Sequence, residues 1–261
     1  MKNTSLRNAG WFTTGLQLQK ALALLTAFLF CIILNSYTQT TKNMIALSGG
    51  AAIPVSDFAS KSADNPSAGF ANTGYLYDLT YVRFLNNGFG IAAMVRGQSN
   101  DMDVDAAIKT LDIDMTEGVT VSSESKPWSN YSILAGVYNS YPIGKADKAF
   151  FESRAMIGYM NVTSPEWSTD FSIVDEVNYT LNVKEYKATA GAFTYLFGIG
   201  FRYNVGKKVF LYTNVDYQGA KPSFNDVKVS MNDGYSTYDT TMSVSQSISS
   251  LNVGIGIGIR F

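Results

Sequence analysis

Four aspartates, Asp101, Asp103, Asp105 and Asp112, have a spacing that suits a metal ion. Alternating carboxylates, with another eleven residues after the first, can converge on calcium, a hard cation that gathers several oxygen ligands. Ala106 stands where such a loop has its turn glycine, and Asp112 stands where it has a bidentate glutamate. A solvated strand edge produces the same run, and carboxylates of that kind would also bridge to neighbouring anionic groups through divalent ions. A second group, Asp78, Arg96, Glu152, Arg154, Arg202, Asp216 and Arg260, sets acids and bases into alternating stretches. Gathered on one inner surface with Asn214 and Gln218, they could form a selectivity ring or a proton path. They could equally neutralise one another as packing, because an unpaired buried charge is costly.

Acid–base catalysis is poorly served. The chain has no histidine, the side chain that most readily exchanges protons near neutral pH. Serines and lysines are common, yet no Ser–Lys or carboxylate pair stands in a motif. Neither an enzyme nor a cofactor is expected. Basic and acidic residues number 20 and 21, with no basic patch, so nucleic acid is not an expected partner.

Strands must position these side chains. The chain is rich in Tyr, Phe, Gly, Thr and Ser, with alternation of period two and few helical stretches. The alternation predicts strands over 44–53, 72–84, 89–98, 128–141, 149–161, 188–204, 209–219 and about 244–261. In the sixth, Phe193, Tyr195, Phe197, Ile199, Phe201 and Tyr203 face away from Thr194, Leu196, Gly198, Gly200 and Arg202. Parity puts the second group of charges on the polar face of these strands, while Arg83 falls on the apolar face beside a turn, where it can snorkel.

The connections alternate long and short. Asn86-Asn87-Gly88, Pro142–Lys148 and Val205-Gly206-Lys207-Lys208 are short, and Asn-Gly between apolar strands is a hairpin signal. Ser99–Pro127, Val162–Lys187 and Ala220–Ser243 are long. Eight strands with loop length sorted by parity predict an all-β fold: an eight-stranded antiparallel transmembrane up-and-down β-barrel with short periplasmic turns and long extracellular loops. Tyr75, Tyr81, Tyr131, Tyr141, Tyr203 and Tyr217 fall near strand ends, where interfacial girdles belong. Within the long loops, Leu111, Ile113 and Met115 alternate with Asp112 and Asp114, and Asn232-Asp233-Gly234 reads as a hairpin tip. These read as strands continuing above the membrane; ten wall strands result if one such pair enters the wall.

Both ends of the sequence fit export to an outer membrane. Lys2, Arg7 and Lys20 precede an uncharged, almost wholly apolar run, Ala21–Leu34, suited to a signal-peptide core and short of the ~20 residues of a spanning helix. Cleavage near Thr38 is expected, giving a signal peptide over 1–38 and a barrel domain over 39–261. The only cysteine, Cys31, would leave with the signal. The remainder then holds 17 basic and 21 acidic residues, a net charge of −4. The last strand reads LNVGIGIGIRF, apolar on one face and small or polar on the other.

That strand resembles the C-terminal sorting signal of bacterial outer-membrane barrels, with Gly256 and Phe261 in the matching places and Ile259 where an aromatic is usual. The runs Gly49–Phe58 and Gly69–Tyr75 resemble the small OmpA-type outer-membrane barrel-domain family of diderm bacteria, Ser56 replacing a usual glycine. The resemblance implies a barrel in the bacterial outer membrane, in contact with its lipid and lipopolysaccharide, and inserted by the barrel-assembly machinery through the C-terminal strand. It does not imply an enzyme. Two functions stand: a structural or surface-interaction barrel acting through long loops whose ligand is unknown, or a small pore or OmpW-like conduit for small or apolar solutes. Balanced charges favour a closed lumen, while Gly198, Gly200, Gly254, Gly256 and Gly258 thin its lining.

Overall fold

The computed structural model describes residues 42–86, 88–110, 119–144, 148–173 and 179–261. The expected signal segment 1–38 therefore lies outside the described residues, as do Asn87, Leu111, Asp112, Ile113, Asp114 and Met115.

Eight strands form the wall: β1 (Asn43–Pro54), β2 (Gly74–Asn86), β3 (Phe89–Asn100), β5 (Trp128–Ile143), β6 (Ala149–Thr163), β9 (Thr189–Asn204), β10 (Val209–Ala220) and β13 (Ile248–Arg260). They close as an antiparallel ring in the order β1-β13-β10-β9-β6-β5-β3-β2, so each wall strand pairs with its neighbours along the chain and β1 meets β13. At the seam Asn43 and Phe261 exchange backbone hydrogen bonds of 2.9 and 3.0 Å. Closure leaves the ring without an unpaired edge, the condition for a sheet in a solvent that offers no hydrogen bonds.

The wall holds eight strands, not ten. Among the described residues the long connections carry five more: β4 (Val119–Ser125), β7 (Trp167–Ile173), β8 (Tyr179–Glu185), β11 (Ser223–Asn232) and β12 (Thr237–Ser245). They hydrogen-bond to one another as a separate sheet in the order β12-β11-β8-β7-β4. The decisive pairing is β8 with β11, from two different connections, where Val229 stands opposite Glu185 and Asn232 opposite Asn182. Asn232–Gly234 is the β11–β12 tip: Asn232 Oδ1 accepts from Gly234 N at 2.8 Å, and Gly234 takes a φ of +87°. A short helix, α1 (Val104–Lys109), and a 3-10 turn, Ser56–Ala59, complete the end that carries the long connections.

Alternation fixes which side chains meet inside. On β9, Thr194, Leu196 and Arg202 are fully buried, while Phe193, Phe197 and Ile199 are more than half exposed. One apolar core lies within the ring and includes Met44, Val82, Met94, Leu134, Leu196 and Phe210. A second, at the long-connection end, joins Phe58, Trp128, Met160, Phe224, Val227 and Ile248.

Candidate functional site

The outside of the ring is apolar on every strand. Leu47, Leu79, Ile91, Ile133, Ile157, Phe197, Leu211 and Ile255 all stand exposed there. A soluble protein rarely shows apolar patches beyond a few hundred Å². Aromatic side chains bound this surface at both ends: Tyr75, Tyr77, Tyr131 and Tyr159 toward the long connections, Tyr81, Phe151 and Tyr203 toward the short turns. On β9 the apolar run from Tyr195 to Tyr203 matches the roughly 9–11 residues of a tilted membrane strand. This wall faces lipid. Arg83, also outward, sits next to the β2–β3 turn, and Tyr141 and Tyr217 are half-buried.

Inside, six of the seven charged residues singled out above form two clusters. Nearer the short turns, Arg202 Nε donates to Glu152 Oε1 at 2.6 Å and Arg202 Nη2 to Ser140 Oγ at 2.8 Å. The Tyr138 hydroxyl donates to the other Glu152 oxygen. The Arg202 guanidinium lies 4.0 Å from the centre of the Phe150 ring. These contacts follow from register, since Arg202 pairs with Phe150 on β6 and Tyr212 on β10.

The second cluster centres on Asp216. Arg96 stands opposite Asp78 on the β2–β3 ladder and donates to it at 2.8 Å. The same guanidinium reaches across the barrel to Asp216 Oδ2 at 2.6 Å. Arg154 approaches from β6 and grips Asp216 with Nε at 2.8 Å and Nη2 at 2.5 Å, and Asn214 adds a hydrogen bond of 2.9 Å. Arg96 and Asp216 are fully buried. Three cations meet three anions, so the interior is neutral and each buried charge has a partner. Arg260 stands apart, at the short-turn rim, donating to the Gly206 and Lys207 carbonyls at 3.4 and 3.1 Å.

Above Asp216 the lining turns to amides and hydroxyls. Gln218 bridges Arg96 and Ser132, and Gln98 bridges Asn100 and Ser250. Beyond them the 3-10 turn folds Phe58 into the mouth, edge-on to Trp128 with ring centres 5.7 Å apart, and Phe224 packs on the other side of Trp128. Trp128 Nε1 donates to the Gly69 carbonyl at 3.0 Å, tying the β1–β2 connection across the opening.

The inward glycines leave little space. Phe210, Tyr212 and Asn214 on β10 stand opposite Gly258, Gly256 and Gly254 on β13 and lean over them; a β-carbon at any of the three would lie within 2.8 Å of those side chains. A void of about 10 Å³, lined in part by Tyr138, Arg154, Tyr212 and Asn214, remains between the charge clusters, room for about one water. The role of Phe58 escaped the sequence reading. Its place as one of two aromatics, with Phe70, in a Ser/Ala/Asn-rich connection was the available sign.

The aspartate run lies outside the ring. Asp103 caps α1 by accepting from Ala106 N at 3.0 Å, and Lys61 Nζ donates to its other oxygen at 2.5 Å. The Lys61 ammonium, followed by the Ala106 amide, holds the Asp103 carboxyl below the usual range. Asp101 and Asp105 are exposed, Asp101 giving its backbone carbonyl to Asn72 N. Among the described residues no three His, Cys, Asp or Glu side chains group as a metal site. Gly256 lies under the Tyr212 ring, and Phe261 is exposed at the seam.

No family model matches the sequence, and no curated protein does. Among solved structures, OprG from Pseudomonas aeruginosa is similar at 13% identity over 85% of this chain and 97% of its own, with a TM-score of 0.44. Neisserial surface protein A is similar at 10% identity over 84% and 96%, with a TM-score of 0.43. Ail, the attachment invasion locus protein of Yersinia pestis, is similar at 12% identity over 85% and 100%, with a TM-score of 0.40. At these values the likeness transfers no function to this chain.

Proposed function

We propose that the chain is an integral outer-membrane protein of the small OmpA type, whose barrel is a closed support and whose external sheet is the working surface. The filled lumen carries this reading: two neutralised charge clusters, an amide layer and an aromatic cap close it in series. A continuous water path would require breaking buried ion pairs, which costs about 3–5 kcal/mol each when one partner is removed. Outside the membrane, in contrast, five strands are built into one hydrogen-bonded sheet, an investment that a bare pore does not need. A role in surface interaction, without catalysis, accords with this arrangement and with a chain free of histidine.

The partners follow from position. Outer-membrane lipid and lipopolysaccharide surround the apolar belt, and the barrel-assembly machinery reads the last strand through Gly256 and Phe261. Exposed carboxylates such as Asp101 and Asp105 provide looser divalent bridging to lipopolysaccharide rather than a dedicated calcium loop. The competing reading, a pore or a conduit for apolar solutes, is tested by conductance of the refolded protein in a planar bilayer, with a boiled sample as control. A folded, silent barrel is the expected result. Steady unitary currents that vanish on boiling would overturn the closed lumen.

A further inference from the structure

The wall has one notch. On its β6 side β9 stays paired up to Thr189, but on its β10 side the ladder ends where Ala220 meets Thr194. After Ala220 the chain turns through Lys221 and Pro222 into β11, and a cleft of about 580 Å³ opens beside the top of β9. That size falls within the ~300–1,000 Å³ of ligand-holding clefts. Its floor is apolar, from Ala192, Phe193 and Tyr195; its upper rim is polar, from Lys221, Ser223 and Ser247.

Three observations identify the occupant. The cleft lies at the level of the Tyr195–Tyr217 aromatic pair, whose ring centres are 6.1 Å apart, and such rings mark headgroup depth. The apolar part faces outward along the wall, Phe193 being 62% exposed, which suits an acyl chain descending from that depth. The polar part is cationic. Lys221 is exposed and makes no ion pair among the described residues, a state it shares with Lys187, Lys207 and Lys208, so its ammonium is free for an anion at the rim of the cleft. On the inner side the cleft meets buried Ala220, with the Phe224 and Ile248 packing beyond, so it is a dead end and not a side exit of the lumen.

We propose that this cleft is a specific site for one anionic, phosphate-bearing lipid of the surrounding leaflet. Its phosphate sits on the Lys221 ammonium and the hydroxyls of Ser223 and Ser247, and its acyl chain lies over Phe193 and Tyr195. Lysine is a point-charge ligand for phosphate. The inference rests on the membrane position proposed above and adds to it a fixed address for one lipid.

The full barrel is refolded into vesicles of phosphatidylcholine with a minor share of phosphatidylglycerol, extracted gently, and weighed with its retained lipids by native mass spectrometry. One phosphatidylglycerol per barrel is expected to outlast the rest. Lys221→Gln should lower its occupancy about fivefold, the share of one lysine near an anionic surface, whereas Lys208→Gln at the short-turn end should leave it unchanged. Ser247→Phe, which fills the cleft, should displace the lipid with Lys221 intact. Equal retention by the wild type and Lys221→Gln, or equal loss in both lysine variants, would overturn the site while leaving the membrane barrel standing. A wild-type chain that never enters vesicles would overturn both.

Discussion

Asp216 stands opposite Gly198 on the neighbouring strand, and its Oδ1 lies 1.9 Å from where a β-carbon at position 198 would be. The glycine is thus the seat of the carboxylate on which Arg96 and Arg154 converge. The contact is with the end of a side chain, which elsewhere could swing aside, but four hydrogen bonds hold this one.

Gly198→Ala should therefore cost about 3–5 kcal/mol, the scale of breaking a buried ion pair. Gly206→Ala, where a β-carbon meets nothing within 4 Å, should stay within about 0.5 kcal/mol of the wild type. Reversible urea unfolding from vesicles measures both. Equal midpoints would mean that Asp216 yields freely.

Arg96→Met and Arg260→Met separate the arginines that the clusters use from the one they do not. Removing Arg96 takes away the ion-pair partner of Asp78, whose remaining hydrogen bond is from the Thr80 hydroxyl at 3.3 Å, and should cost about 3–5 kcal/mol. Adding Asp78→Asn should restore part of that loss. Arg260 has no carboxylate partner among the described residues and touches two turn carbonyls at the rim, at 3.4 and 3.1 Å, so its replacement should cost less than about 1 kcal/mol. The same unfolding measurement decides; an equal loss in both would refute the separation.

Phe58→Ala should loosen the mouth without opening a channel. Truncating a buried phenylalanine costs about 3–5 kcal/mol, and Trp128 loses its edge-on neighbour. With Trp11 and Trp167 both replaced by Phe, so that Trp128 is the one emitter left of three, its emission should shift to the red and become accessible to acrylamide. Conductance should stay silent, because both charge clusters lie below the cap. Currents in this variant alone would show that the cap is the sole barrier.

Acid should act in opposite senses on two parts outside the membrane. Burial pushes the Glu185 carboxyl up, against a hydrogen bond from Trp167 that lowers it. A raised folded-state value gives a contribution fully present below the unfolded pKa of about 4.3 and lost as pH rises through the folded value. Asp103 is lowered, chiefly by Lys61, so its contribution holds above the unfolded pKa of about 3.9 and disappears as pH falls through the lowered one. Glu185→Gln should then slow amide exchange in β8 at neutral pH, and Asp103→Asn should speed it in α1. Both differences should vanish in acid; an effect of the same sign at both sites would refute the assignment.

The wall was legible because alternation in strands such as β9 separates lipid-facing from inward residues at every step, and because the short turns announce themselves. Parity also marked the inward charges, though not their partners: Arg96 finds Asp78 across one ladder, but reaches Asp216 across the barrel, a relation that curvature creates. Alternation in the long connections announced strands without saying what they pair with. β8 and β11 meet only once the wall has brought their connections together. The inward glycines could not decide between space and closure for a related reason. Alone they suggest space, while in register they are covered by Phe210, Tyr212, Asn214 and Asp216.

The seam between β1 and β13 has a kinetic consequence. It joins the first strand of the wall to the last, so the ring closes through the longest loop of any wall pairing, and its entropic cost precedes any reward. No subset of the wall strands can complete the ring. Until the last strand docks, each partial sheet keeps a greasy face and two bare edges, the features that drive chains to clump. For this protein the vulnerable interval is the journey between synthesis and closure, and an escort that shields the faces of β1 to β10 would have to release them only when β13 is in hand.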